Sequence, residues 1–568
     1  MKTVFRSSGI AFFTILLCIQ LLLSPFVSSS YQKLSLISDA PPESGHFQFQ
    51  ATDVRFGQNR RVNTGGSGYP EQVEPTLTIL SNGRILIGWK EAATPIGPGL
   101  RVGFAYSEDD GYSFSNNTLM ATLGGGSQSD PWLVKDHNDN AYFAFLEYGG
   151  TSEGMGVAKT LDGGLTWQPP TQASDTPAGL DDKETMCIDT NGNLYLVWDF
   201  IENYPNGGAA FLTFTKSTNG GTSFDPTTTL GPWEECGGIP YITCSTNDTL
   251  YMTTWDSSEA YPDMIYISKS IDLGNTWSTP TRVSTWGYPS ISLITVCSTD
   301  SNNDVYICFS AGSITDHEVY VTKSIDGGFS WSTPIQVNDN STNMQRMVEM
   351  HIDSEDNIHV AWLDGSLGEW NIFYSYSTDG GATFSNDIKI TSEGTPFSYT
   401  RPGDYFTMRS GPNGRLYIVW TDGRGPNQDI YFARQDLLAP SINHTPPAFI
   451  LTQTPFSIDI QASDDDAIER IEFHYRIGDI GTWNTQLLTR LTSTSYQGEI
   501  DADRMIGSKI AYYFTVSDYA QRQTLLPASG YFIIPILPVS PTMLIIIVTS
   551  TIIITVVVIF SIWYLRRP

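Results

Sequence analysis

The residues best equipped for chemistry recur at matching places along the chain. Glu74, Asp130, Asp182, Glu184, Arg346, Glu349, Arg401 and Asp404 each stand at the start of a short apolar run, and Tyr405 directly follows Asp404. Glu91, Glu147, Asp199, Asp256, Asp364, Asp422 and Arg424 stand at or just past the end of the next run. Carboxylates accept hydrogen bonds from sugar or peptide donors and exchange protons, Tyr and Trp rings stack on apolar faces, and guanidinium forks grip anions. Glu74, Asp130, Glu184, Arg346, Arg401 and Arg424 are therefore the expected ligand-binding set. Metal chemistry has little footing, because there is no CxxC and no His pair at ligand spacing. DHNDN (136–140) and DTNGN (189–193) imitate a calcium loop but lack its closing Glu and sit where a hairpin must bend. Neither a metal nor a cofactor is expected.

What positions these residues is a repeat. SEDDGYSF, TLDGGLTW, STNGGTSF, SIDLGNTW, SIDGGFSW and STDGGATF share a hydroxyl or small polar start, Asp or Asn at the third place, Gly at the fifth and an aromatic ring at the eighth. Their third places fall at 109, 162, 219, 272, 326 and 379, intervals of 53, 57, 53, 54 and 53. Such a segment makes its own turn: the Asp or Asn accepts backbone N–H groups, Gly takes positive φ, and the ring tucks beneath. Between turns lie pairs of strands joined by Asn/Gly/Asp bends, as in TLTILSNGRILIGWKE and MCIDTNGNLYLVWDF. A third strand enters each Asp turn and a fourth leaves it, so four antiparallel strands fill one period, as in a propeller blade. Counting first hairpins gives seven blades, with six as the alternative. The seventh unit stops after its third strand at DIYFARQ, and DVRFGQNRRVNTG upstream is placed to supply the missing fourth. Closure of this kind removes an exposed sheet edge. The first-strand starts and second-strand ends share one face, and the Asp turns lie on the other.

The flanks set the expected compartment. Of the 568 residues, 31 are Lys or Arg and 60 are Asp or Glu, a formal net charge of -29, which argues against a nucleic-acid partner. Residues 1–30 have the basic, apolar, then small-residue order of a signal peptide. Residues 543–565 are an uncharged run long enough to cross a bilayer, followed by Arg566 and Arg567, so the 566–568 tail is expected in the cytoplasm and the rest outside. The expected organisation is a propeller over 53–436, a linker over 437–447, an immunoglobulin- or fibronectin-like sandwich over 448–537 acting as a stalk, and one membrane helix. Cys236 with Cys244 and Cys297 with Cys308 are spaced to form disulfides or to remain as core thiols. Four N-x-T sequons suit a glycosylated exterior.

The six turns resemble the Asp boxes, or BNR repeats, of the sialidase superfamily over residues ~53–436, and RPGDYFTM with VWTDGRGPNQDIYFAR looks like the tail of secreted Asp-box propellers. The resemblance implies a propeller and, in its enzymes, an Arg trio for the sugar carboxylate, a Tyr nucleophile backed by Glu, and an Asp acid/base. Carried onto this chain, Tyr405 would be the nucleophile, Asp404 or Glu349 the acid, and Arg346, Arg401 and Arg424 the anion clamp. The family's Arg-Ile-Pro motif is absent, and Glu74 of VEPTLTIL stands in its place. Recognition of an extracellular glycan or protein, a glycoprotein among them, is thus the leading expectation, with an exo-sialidase-type hydrolase acting on acidic sugars as the alternative.

Overall fold

The computed structural model describes residues 54–538 except 65–67, 95–97, 177–178, 203–208, 231–238, 257–263, 284–289, 314–315 and 400–401. The expected signal peptide, membrane helix and tail lie outside the described residues, as do Arg401 and Cys236. Among the described residues one helical turn occurs, Ala502–Arg504, and no helix is long and apolar enough to cross a membrane. The chain divides into two compact units, Ala51–Leu437 and one beginning at Leu438.

Among its described residues the first unit contains seven antiparallel sheets, six of them with their strands in chain order. The first runs Glu71–Ile79, Ile85–Ala92, Gly99–Ser107 and Thr118–Leu119; the sixth runs Gln345–Ile352, Ile358–Asp364, Asn371–Ser377 and Ile388–Lys389. Each sheet packs its inner strand against the next sheet, and the seventh packs against the first, which makes a closed, propeller-type all-β circle. Second strands such as IHVAWLD and LYIVWTD are buried along their whole length, because they are covered on both faces by neighbouring sheets. The seventh sheet is completed from the N-terminus: Arg55 and Phe56 pair with Asp436 and Gln435, and Arg60 and Arg61 pair with Phe432 and Tyr431. The circle is thereby fastened by hydrogen bonds between the two ends of the unit.

The Asp turns are built as their composition dictates. Asp162 accepts from the Thr166 amide at 2.9 Å and from the Thr160 and Thr166 hydroxyls at 2.8 and 2.6 Å. The same pattern holds Asp326, whose bonds from Ser330 above all bring its pKa down to about 2. Gly111 shows why the fifth place is glycine: its φ is +83°, and a Cβ there would lie 2.3 Å from the Phe432 ring of the seventh sheet. The false calcium loops are bends of the same logic, with Asp136 accepting the Asn138 and Asn140 amides and Asp189 those of Asn191 and Asn193. Inner strands are stapled around the circle. Thr407 donates to the Pro75 carbonyl at 3.1 Å, the Leu133 amide to Thr76 at 3.0 Å, the Trp132 indole to the Met186 carbonyl at 3.0 Å, and Thr185 to the Pro240 carbonyl at 2.9 Å.

The second unit has two sheets around one apolar core that includes Ile458, Phe473, Tyr512, Phe514, Val516 and Ile534. Phe456–Ser463 alternates buried and exposed residues, as a strand with one wet face must. Ser441–Asn443 pairs with Gln461–Ser463, so ordered structure begins inside the stretch expected to be linker. Cys187, Cys244, Cys297 and Cys308 are all free thiols. Cys297 pairs with Ile307 and Cys308 with Val296 on neighbouring strands, so the two cysteines point to opposite faces of their sheet and cannot be bridged.

Candidate functional site

An irregularity repeated on the inner strands creates the site. The pairing register slips between Val73 and Thr76, Ser129 and Trp132, Asp182 and Thr185, and Arg346 and Glu349. At each slip a non-glycine residue takes the left-handed backbone conformation: Glu74 at φ 56°, Asp130 at 50°, Lys183 at 59° and Met347 at 56°. L-residues adopt this region rarely, at a cost of roughly 1–3 kcal/mol each, and such strain clusters where side chains must be aimed for a task. A bulge re-aims its side chain out of the strand's alternation. Three of these four residues have ionisable side chains.

The charged groups come together over an aromatic floor. Trp132 of the second sheet meets Tyr241 of the fourth at 5.7 Å and Tyr405 of the seventh at 5.8 Å between ring centroids, all three buried. Around it, the Lys90 ammonium lies 3.0 and 2.8 Å from the two Glu74 oxygens and 3.8 Å from Asp130. Lys183 reaches Asp404 at 2.9 Å and Asp182 at 4.0 Å. Glu74 and Asp182 both lie close enough to Asp130 for its charge to raise the pKa of each. Burial and then the Asp130 charge push the Asp182 pKa up to about 7. Glu74 is raised well above the carboxylate range, burial outweighing the Lys90 charge that opposes it. Asp130 goes the other way: burial works against its ionised form, but Lys90 and Lys183 prevail and hold it below the ordinary range. The cluster gathers the carboxyls of Glu74, Asp130, Asp182 and Asp404 around the ammoniums of Lys90 and Lys183, with Asp182 and Lys183, about a quarter exposed, toward solvent. Glu184 lies beneath, 2% exposed, both oxygens without a hydrogen-bond partner, its pKa driven well up by burial and then by Asp130.

The structure separates the remaining candidates. Tyr405 donates its hydroxyl to the Pro131 carbonyl at 2.8 Å, and its pKa is raised strongly by burial and the surrounding carboxylates. Glu349 is bound by Arg409 and by the Met408 amide. Arg346 stacks on Trp370 at 4.4 Å. Arg424 is committed bidentately to Asp422 at 2.9 and 2.7 Å and lies over Tyr431 at 4.3 Å. The two guanidiniums thus rest on rings of different sheets, Trp370 of the sixth and Tyr431 of the seventh. Carboxylates at second-strand ends serve the framework: Glu91, Asp364 and Asp422 each accept the indole N–H of the Trp two places earlier, at 2.8, 3.2 and 2.9 Å. Glu147 takes three amides from 123–126. Lys90, Lys183 and Arg409 escape sequence reasoning. The signal present for Lys183 is the charged quartet DDKE inside an inner strand that should be apolar.

The same face carries an open cleft of about 630 Å³ at the seam of the first and second sheets, lined by Tyr69, Arg101, Thr122, Gly126, Ser127 and Gly149 among others. Arg101 is fixed there by the Met120 carbonyl at 2.5 Å and Gln128 at 3.3 Å.

No family model matches the chain, and no curated protein matches it. Solved structures are similar over about two thirds of it. A protein of unknown function from Dyadobacter fermentans DSM 18053 is 13% identical, covering 67% of this chain and 98% of its own at a TM-score of 0.44. A PL25 ulvan lyase, a polysaccharide lyase, is 12% identical, covering 66% and 95% at 0.44. The NanB sialidase from Streptococcus pneumoniae is 13% identical, covering 67% and 70% at 0.39.

Proposed function

We propose that this protein is a cell-surface recognition protein that binds an extracellular glycan or glycoprotein through the face bearing the inner-strand bulges. In this reading the first unit is a seven-bladed Asp-box propeller of the sialidase superfamily and the second an immunoglobulin-like sandwich. One C-terminal helix holds both outside the membrane. The observation that carries the reading is the set of strained bulges at Glu74, Asp130 and Lys183, which hold charged side chains together over the Trp132–Tyr241–Tyr405 floor. Strain of several kcal/mol on one face is retained where the side chains it aims have a ligand to meet. Carboxyls, ammoniums and a half-open polar cleft offer the donors and acceptors that sugar hydroxyls use.

Sialoside hydrolysis is the weaker reading. The Tyr405 hydroxyl is engaged by a backbone carbonyl, Glu349 by Arg409 and Arg424 by Asp422, so these groups do not form a nucleophile, its base and an anion clamp. The test pairs two assays on the full-length protein. On an array of extracellular glycans and glycoproteins, saturable capture should be weakened by Asp182→Asn or Lys183→Met, and capture indifferent to both would retire the recognition reading. With a fluorogenic sialoside across acidic to neutral pH, no turnover should be seen; turnover abolished by Tyr405→Phe would restore the hydrolase.

A further inference from the structure

The outward face of the larger sheet in the second unit carries an aromatic and cationic patch unrelated to the propeller. Ile468–Ile477 alternates, with Ile471, Phe473 and Tyr475 in the core and Glu472, His474 and Arg476 on the solvent side. On the neighbouring strand Tyr513 shares that outward side and stacks on His474 at 4.5 Å. Trp483 meets Tyr513 at 5.1 Å and Tyr531 at 5.5 Å, both edge to face. Arg476 lies against both outer rings, 5.1 Å from Trp483 and 5.8 Å from Tyr531. These side chains are all half-buried, so a strip of ring and guanidinium stays open to solvent.

The guanidinium is the informative group. Its Nε is buried without a hydrogen-bond partner, and among the described residues Arg476 forms no side-chain hydrogen bond and no ion pair. The acids nearby are engaged elsewhere: Glu472 lies 3.8 Å from Arg470 and 3.7 Å from His474, and Asp479 pairs with Lys509. In a chain with 60 acidic against 31 basic residues, a cation left without a carboxylate and set between two rings is charge-complementary to something outside the molecule. Contact with the two rings restricts the side chain, so less rotamer entropy remains to be lost when an anion docks. The rings beside it offer apolar faces of the kind that pack against the C–H side of a pyranose.

We propose that this patch is a binding site for an acidic polysaccharide, with Arg476 receiving a carboxylate or sulfate and Trp483 and Tyr531 receiving the sugar faces. The sandwich then contributes adhesion of its own and is more than a stalk. This is independent of the propeller reading, since no residue is shared.

The experiment uses the full-length protein in detergent or nanodiscs and measures equilibrium binding of three oligosaccharides: oligogalacturonate, which bears carboxylates, a heparin fragment, which also bears sulfates, and neutral cellooligosaccharide. At least one acidic probe should bind saturably, with the preferred one identifying the anion, while the neutral probe binds at least tenfold more weakly. Affinity should fall about tenfold in Arg476→Gln and in Trp483→Ala, equivalent to about 1.4 kcal/mol, and should decline as salt rises from about 0.1 to about 0.5 M. Arg476→Lys keeps the charge and the aliphatic stem; it guards against misfolding and should still lose affinity several-fold with an unchanged melting temperature. Asp182→Asn in the propeller should leave this binding intact. Absence of saturable binding by both acidic probes, equal binding of the neutral one, or indifference to Arg476→Gln and Arg476→Lys would overturn the proposal.

Discussion

Replacing Asp182 with asparagine should stabilise the propeller at pH 8 and do little at pH 4. The folded protein holds the Asp182 proton up to about pH 7, whereas an unfolded chain releases it near the ordinary aspartate value of 3.8. Between those values the native state binds more protons than the unfolded one, so stability falls as pH rises through this window; below about 4 both states are protonated and nothing is lost. The gap between the two values corresponds to about 4 kcal/mol at most, since a tenfold change in proton affinity is worth ~1.4 kcal/mol. Asparagine keeps the shape and can still donate to Asp130, but it carries no titratable proton. For a unit of about 390 residues, an unfolding entropy of ~2.1 cal/mol/K per residue gives ~0.8 kcal/mol/K, so the ceiling is about 5 °C in Tm. Calorimetry of wild type and D182N at fixed ionic strength from pH 4 to 8 should show two Tm curves that coincide at the acidic end and separate by ~2–5 °C at the alkaline end. A constant offset across the range would refute the reasoning, because it would mean that the substitution acts through packing and not through the proton. Glu74 and Glu184 are raised in the same direction and should leave the D182N curve with a residual alkaline slope.

Other outcomes follow from the same framework. Gly111→Ala forces a Cβ onto the Phe432 ring at a positive φ and should cost about 1–3 kcal/mol, read as a lowered Tm of the propeller transition. Arg409→Met leaves Glu349 buried without its cation and should cost about 3 kcal/mol, with the double variant Arg409→Met/Glu349→Gln recovering much of the loss in the same melt. Deleting residues 54–63 uncovers the outer edge of the seventh sheet; light scattering and size exclusion should report self-association absent from the intact chain.

The fold is legible wherever a local rule repeats. The Asp turn needs one carboxylate or amide, one glycine and one ring within eight residues, and its period alone anticipates the spacing of the sheets. The missing fourth strand after DIYFARQ is visible as a deficit, and the segment that fills it as a surplus upstream. The site is less legible, because it depends on breaks in the strand rule. Alternation cannot say where Glu74, Asp130 or Lys183 points when each sits at a register slip with φ positive. Lys90 reads as a surface lysine beside Glu91, and only the neighbouring inner strands turn it into the partner of Glu74. Arg424 is visible as a cation near the face, yet its commitment to Asp422 two positions earlier depends on a loop geometry that composition does not encode. Cys297 and Cys308 are close enough in sequence to bridge, and a single step of register puts them on opposite sides.

Fastening the last sheet with the first strand also orders events in time. Arg55 leaves the ribosome about 380 residues before Asp436, which at ~5–20 residues per second is a delay of roughly 20–75 s. During that interval the leading segment has no mate, and the first sheet lacks the neighbour that the seventh will supply. Translation speed and whatever shields a nascent chain therefore bear on this architecture more heavily than on one whose neighbours in space are neighbours in sequence.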